Sequence, residues 1–147
     1  KRLLPAHENA ERILLALMMK NKKAAAQIQE QIGGDFHKEE HRALAAHIYA
    51  YYAEGHSANP SALLATIDEQ RLLTIASELS MISFNEKMAA SELQDYIHTV
   101  QNYPKWLRIK EKEREKTEAE RNEDFLLAAK IATEVLEMKK ALKINNR

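Results

Sequence analysis

The segment HKEEH, from His37 to His41, has the residue types and spacing of a zinc-protease ligand string, H-x-x-E-H. If one helix includes both histidines, they lie on the same side of it with Glu40 beside them. A catalytic zinc site needs three protein ligands, however, and this string supplies no third one. The segment also stands at the start of a predicted helix, where Asp35 and Glu39 suit the cap and the positive end of the helix dipole. We therefore predict that no metal binds here, that His41 is a partly buried structural residue and that His37 is solvated.

No other string in the chain predicts catalysis. The sequence contains no G-x-S-x-G, no P-loop and no G-x-G-x-x-G. Gly33 and Gly34 have neither a third glycine nor a strand before them, and the remaining histidines are scattered without ligand spacing. We expect no active site, no cofactor and no small-molecule substrate.

The composition is typical of a helical protein, because Ala, Leu, Glu and Lys dominate and Gly and Pro number three each. The 22 basic and 22 acidic residues cancel, so the whole chain exerts no net attraction on nucleic acid or membrane. The absence of cysteine excludes disulfides and thiol chemistry. No apolar run has the length of a membrane span. We expect a cytoplasmic protein, and the start at Lys1-Arg2 suggests a piece of a longer one.

Hydrophobic periodicity predicts six helices in the first hundred residues, and no alternation predicts a strand. Gly33 and Gly55 suit helix ends, and Asn59 followed by Pro60 suits a helix start. The predicted helices cover roughly residues 6–19, 22–32, 38–54, 60–67, 69–81 and a segment that begins near 86. Short connections between such helices are typical of a compact bundle, so we predict an all-α fold.

Pro104 interrupts the sixth helical pattern. A proline inside a helix removes one backbone hydrogen bond, so we expect this helix to kink or end near Tyr103. We place the domain boundary there, with a six-helix bundle at 1–103 and a C-terminal helical hairpin at 104–147. The hairpin has a highly charged seventh helix, a turn at ERNED that Asn122 or Asp124 caps, and an apolar eighth helix.

The two predicted hairpin helices are unequal in apolar content. The seventh helix offers its partner Trp106, Leu107 and Ile109, while the eighth carries a long apolar stripe. A surplus of this kind usually marks a binding face, although the eighth helix folding back onto the bundle would also cover it. The expected partner-binding residues are Phe125, Leu126, Leu127, Ile131, Val135, Leu136, Met138, Lys139 and Leu142.

Positive charge borders this predicted binding face, from Lys139, Lys140, Lys143 and Arg147. Stacking platforms for nucleic acid combine such charge with aromatic residues, and none lie among these four. We therefore expect direct nucleic-acid contact by this part of the chain to be weak or absent.

Three segments resemble the helical N-terminal domain of DnaB-type replicative helicases: AERILLALMM, GDFHKEEHRALAAHIYAYYAEG and LQDYIHTVQN. The likeness covers about residues 5–102. The same fold recurs in the C-terminal, helicase-binding domain of DnaG-type bacterial primases, where a helical hairpin follows it. In that family the histidine that corresponds to His41 takes part in helix packing, so the resemblance implies no zinc.

The presence of both the bundle and the hairpin favours the primase family, with most likeness to its Bacillus-group members. The resemblance implies a non-catalytic domain that binds the N-terminal collar of the hexameric helicase, brings primase to the replication fork and modulates helicase activity. It also implies that the hairpin makes the contact. Three alternatives stay open at this point: a helicase collar domain that self-associates, a zinc hydrolase, and an adaptor that uses the same hairpin for an unrelated protein.

Overall fold

The structure, a computed structural model, describes residues 4–84, 88 and 90–145, with side chains as far as residue 142. Over these residues it contains seven helices and no strand, so the all-α prediction is confirmed. Packing divides the chain into a first unit, Lys1–Val100, and a second unit, Gln101–Arg147. The helices are α1 (Ala6–Lys20), α2 (Lys22–Gln31), α3 (Glu39–Ala53), α4 (Pro60–Ala65), α5 (Gln70–Ser80), α6 (Ala90–Arg121) and α7 (Phe125–Asn145).

Helix α1 forms the centre of the first unit. Its apolar run includes Leu14, Leu15, Met18 and Met19, whose side chains are fully buried. Helices α2, α3, α4 and α5 all pack against it. A helix that is apolar around most of its circumference is stable only when other helices surround it, which explains this central position.

Short polar side chains fix where the helices of the first unit begin. The side chain of Asn21 accepts a hydrogen bond from the amide of Ala24 at 2.9 Å, and Asn59 accepts one from Ala62 at 3.1 Å. Pro60 follows Asn59 at the first helical position, where its missing N–H costs nothing. After α2, Gly33 has φ 58°, the left-handed conformation that ends a helix.

Helix α6 corrects the prediction at Pro104. The helix runs without a break from Ala90 to Arg121, so the predicted sixth and seventh helices are one, and the expected end near Tyr103 is wrong. Pro104 is exposed, so its ring does not have to fit into a packed core. The expected start of this helix near Glu86 lies outside the described residues. Packing separates the two units between Val100 and Gln101, and the predicted boundary after residue 103 stays a prediction.

Candidate functional site

The second unit consists of the C-terminal part of α6 and of α7, joined by a turn at residues 122–124. Ile109, Ile131 and Val135 form its buried cluster, and Met138 and Leu142 pack against them half-buried. We call these five residues the hairpin core. Two ion pairs join the helices on either side, Lys112 to Glu134 at 3.1 Å and Lys139 to Glu113 at 3.3 Å. The two helices therefore close a small interior of their own.

This interior contains part of the expected binding face, whose role in partner binding stays a prediction. Ile131 and Val135 were expected to contact a partner, but only 4% and 8% of their surfaces are exposed. Ile109 of α6 packs with both of them, and ion pairs from Lys112 and Glu113 of α6 to Glu134 and Lys139 join the two helices beside this cluster. Ile131 and Val135 are thus covered within the second unit.

A different set of apolar residues on α7 is exposed. Phe125 is 65% exposed, Leu126 85%, Leu127 44% and Leu136 54%. Phe125, Ala129, Ala132 and Leu136 follow each other at spacings of four, three and four residues, which places them on one side of the helix. Leu126 lies beside that stripe at the hairpin tip, where it lines a shallow apolar groove together with Leu127, Ala129 and Thr133. We call Phe125, Leu126, Leu127 and Leu136 together the exposed apolar face, in which Phe125 and Leu136 share one side of α7 while Leu126 and Leu127 continue around its first turn.

Lysines stand at the C-terminal end of the exposed apolar face. Lys139 and Lys140 are both exposed, although each also pairs with a glutamate, Glu113 and Glu137. The side chain of Lys143 and all of Arg147, which were expected to extend this positive border, lie outside the described residues. The face is therefore apolar at the hairpin tip, and two lysines that form ion pairs stand three to four residues beyond Leu136.

The turn that aims the hairpin tip is held by backbone bonds. The amide of Asp124 donates to the carbonyl of Ala119 at 2.8 Å and that of Glu123 to Glu120 at 3.0 Å, the pattern of a Schellman helix end. Asp124 then caps α7, because its side chain accepts a hydrogen bond from the amide of Leu127 at 3.2 Å. Of the two expected caps, Asn122 and Asp124, the second occupies the capping position. The same two residues thus end one helix and start the next.

Glu123 has φ 59°, a conformation that favours glycine. Replacing Glu123 with glycine removes this strain, so we expect the hairpin to gain about 0.5–1 kcal/mol of stability. Hydrogen exchange of the α7 amides measures this gain, and a matched Glu120→Gly change inside α6 provides the control. That control is expected to lower stability by about 1 kcal/mol, since glycine is unfavourable within a helix. Equal losses in both variants would contradict the strain at Glu123.

A second prediction concerns Ile131, a buried residue of the hairpin core. Replacing Ile131 with aspartate buries a carboxylate without a partner, so we expect at least about 3 kcal/mol of lost stability and separation of the two hairpin helices. Hydrogen exchange should show fast exchange in α7 and unchanged protection in α1. Protection of α7 that stays as in the unaltered chain would contradict the burial of this side chain.

The HKEEH segment lies in the first unit, and its role there is structural. Nδ1 of His41 is 2.7 Å from Oε1 of Glu11, and both side chains are almost fully buried. Glu11 also accepts hydrogen bonds from the backbone amides of His37 and Lys38, directly before α3. The carboxylate thus joins the middle of α1 to the start of α3 through three donors.

Burial alone would raise the pKa of Glu11. The hydrogen bond from His41 and those from the amides of His37 and Lys38 outweigh burial, so the pKa of this carboxyl lies below its usual range. The carboxylate is therefore held in its ionised form within the core. No buried polar side-chain atom lacks a hydrogen-bond partner in the part of the chain that the structure describes.

His37 is exposed, and its ring meets the edge of the His7 ring at a centroid distance of 5.7 Å. Arg42 closes the loop before α3 by donating to the carbonyl oxygens of Phe36 at 3.1 Å and His37 at 2.7 Å. Within residues 4–84, 88 and 90–142, no three His, Asp or Glu side chains are placed to hold a metal ion. The sequence motif matches a zinc string, but its buried histidine is bound to a glutamate that lies 30 residues earlier.

Comparisons with known proteins match nearly the whole chain. Residues 3–102 match the family model described as "DnaB-like helicase N terminal domain". A DNA primase from Geobacillus stearothermophilus is 56% identical over 142 residues, which cover 97% of this chain and 24% of that protein. A DNA primase from Halalkalibacterium halodurans is 42% identical over 144 residues, covering 98% of this chain and 24% of the relative. The chain thus spans about a quarter of the length of the curated relatives that it matches.

A solved structure matches the chain from end to end. It is described as the "DnaB binding domain of DnaG (P16) from Bacillus stearothermophilus (residues 452-597)". The two chains are 57% identical, the match covers 97% of each, and the TM-score is 0.57. The bundle and the hairpin therefore both have counterparts in one solved domain. None of the described helices of our chain is long and apolar enough to cross a membrane.

Proposed function

This chain belongs to the family of DnaB-like helicase N terminal domains, and on that premise we propose that it is the part of a bacterial DNA primase that binds the replicative helicase. The resemblance of the sequence to these domains is confirmed by the family match over residues 3–102 and by the primase matches over 97% of the chain. The partner would be a hexameric DnaB-type helicase, contacted at its N-terminal collar.

The observation that carries this proposal is the exposed apolar face of α7. Four large apolar side chains are exposed on a hairpin that already has a core of its own, three at its tip and Leu136 farther along α7. Apolar surface of this kind, next to polar residues, usually marks a protein-binding site. A contact of this size would depend on a few anchor residues rather than on total area.

Among the nine residues expected to bind the helicase, the structure suggests a division of roles. Phe125, Leu126, Leu127 and Leu136 would make direct contact, with Lys139 at the edge of the contact. The other four support the helix that presents them, and they are Ile131, Val135, Met138 and Leu142.

The function of such a domain is recruitment. Binding to the helicase holds primase next to unwound template, which raises its local concentration at the fork. The domain itself would be non-catalytic, and primer synthesis would belong to parts of the primase outside this chain. The bundle would modulate the helicase's activity while the hairpin holds the contact, in the bacterial cytoplasm.

A second candidate is the collar domain of a replicative helicase, and the family model over residues 3–102 favours it. Such a domain would associate with copies of itself. The primase function has more support because two primases and a solved primase domain also match the hairpin, at 42–57% identity.

The two candidate functions predict different results in one experiment. We expect the chain alone to sediment as a monomer, and to co-elute with a DnaB-type helicase hexamer from the same source on size-exclusion chromatography. Sedimentation as a dimer or ring, without co-elution, would favour the helicase collar and contradict the primase function.

A further inference from the structure

One lysine of α7 lies beside the exposed apolar face and has no charged partner. Four of the five charged side chains that the structure describes on this helix form ion pairs, which are Glu134 with Lys112, Glu137 with Lys140, and Lys139 with Glu113. The fifth is Lys130, which is exposed and has no ion pair with any residue that the structure describes. Its charge is therefore available to a partner.

Helical spacing places Lys130 among the apolar residues of the hairpin tip. Lys130 follows Leu126 by four residues and Leu127 by three, so at about 100° per residue it projects between them, one turn farther along α7. All three side chains line one shallow groove, together with Ala129 and Thr133. A partner that covers this groove therefore also covers the lysine.

Lys130 also lines a second groove, which lies between α6 and α7. Four carboxylates of that groove act on other groups: Glu134 pairs with Lys112, Glu118 pairs with Arg121, Asp124 accepts a hydrogen bond from the amide of Leu127, and Glu115 joins Glu134 in raising the pKa of Lys112. Lys130 thus stands on the ridge between the two grooves with its charge unpaired.

We propose that Lys130 selects the partner of the exposed apolar face by pairing with an acidic side chain of that partner. This inference rests on the proposed helicase contact and specifies its chemistry. The partner surface would carry an apolar side chain that packs on Leu126 and Leu127. It would carry a carboxylate about 5–6 Å from that side chain, which is the spacing of residues on adjacent turns of a helix.

The reason is the cost of covering a lysine without giving it an acceptor. A partner that packs on Leu126 and Leu127 removes water from Lys130 as well, and a buried ammonium without a hydrogen-bond acceptor opposes binding. A carboxylate satisfies the ammonium through a charge-assisted hydrogen bond. A partner with apolar or basic surface at this point is rejected, so the lysine gives specificity to a face whose leucines alone would accept many partners.

Replacing Lys130 with methionine tests the inference, because methionine keeps an unbranched side chain with good helix propensity and removes the charge. We expect affinity for a DnaB-type helicase hexamer to fall at least about tenfold at low salt, since the partner's carboxylate loses its cation. The difference between the two chains should narrow as salt rises, because salt screens the pair in the unaltered chain. Calorimetric titration at two salt concentrations measures both effects, and circular dichroism checks the fold.

Two further variants separate the pair from other effects. Lys130→Glu should bind more weakly than Lys130→Met, because it places like charges opposite each other. Lys23 provides the matched control, since it is an exposed lysine of α2 without an ion pair among the described residues. Lys23→Met should bind within about twofold of the unaltered chain.

Each other result decides against a different part of the account. Lys130→Met that binds as tightly as the unaltered chain, or more tightly, would overturn the inference and leave the helicase contact in place. Equal losses in Lys130→Met and Lys23→Met would overturn it as well, because affinity would then follow net charge alone. No binding by the unaltered chain would contradict the proposed function and the inference with it. Dimers of the unaltered chain that Lys130→Met abolishes would assign the lysine to a second copy and overturn the helicase as its partner.

Discussion

Replacing Leu126 with aspartate is expected to weaken binding to a DnaB-type helicase by at least about 2 kcal/mol, roughly 30-fold in Kd. Among the hairpin side chains that the structure describes, Leu126 is the most exposed large apolar one, at 85%. An aspartate there would place a charge within the proposed apolar interface. The fold should not suffer, because position 126 lies in the first turn of α7, where a negative charge is favourable. Calorimetric titration and circular dichroism measure the two effects.

The first unit offers a matched control. Met81 is a large apolar residue that is 83% exposed, just after α5. Met81→Asp makes the same kind of change on the bundle, and we expect helicase affinity to stay within about twofold of the unaltered chain, since exposed substitutions away from an interface change free energies little. Equal loss of helicase affinity in Leu126→Asp and Met81→Asp would show that the exposed apolar face of α7 is not the specific contact with the helicase.

Replacing Glu11 with alanine is expected to destabilise the first unit by about 3 kcal/mol at neutral pH. The change removes three hydrogen bonds at once and leaves His41 buried without its partner. For a unit of this size the melting temperature should fall by about 15 °C. Thermal unfolding followed by circular dichroism measures the loss.

The contribution of Glu11 should depend on pH in one direction. Since the pKa of Glu11 is lowered in the folded chain, its stabilising effect is complete above the unfolded value, about 4.3. It is lost as the pH falls through the lower folded value, so the difference between the unaltered chain and Glu11→Ala should shrink in acid. Glu8 is the control, because it pairs with Lys38 at 3.7 Å in a partly exposed position. Glu8→Ala should cost less than about 1 kcal/mol, and a difference for Glu11→Ala that stays constant down to pH 2 would contradict the ionised carboxylate.

Local signals account for most of the fold that sequence could predict. Asn59 and Gly33 fix helix ends through contacts within four residues, so their roles were predicted from sequence alone. Pro104 was misread because its effect depends on surroundings. A proline costs a helix about 3 kcal/mol, and an exposed site with favourable residues on both sides can sustain that cost without a break.

The apolar character of the candidate site was predictable from sequence, but which of its residues are exposed was not. The apolar character of α7 follows from its residues, yet which side is covered depends on how α6 lies against it. Ile131 and Val135 were expected to contact a partner because α6 offers few apolar residues, but Ile109 of α6 packs with both of them.

The Glu11–His41 pair lay beyond sequence reasoning for another reason. The two residues belong to different helices, and only packing brings them together. The signal that existed was weak: Glu11 stands within the apolar run of α1, where a charged residue needs a buried partner. That requirement would have indicated a pair without identifying His41.

The most direct test of the helicase-binding function is a calorimetric titration of this chain into a hexameric DnaB-type helicase from the same source, at two temperatures. Our account predicts saturable binding with a negative change in heat capacity, because the contact buries the apolar face of α7. The absence of both binding heat and saturation at both temperatures would contradict this prediction. It would leave the exposed apolar face without its proposed partner.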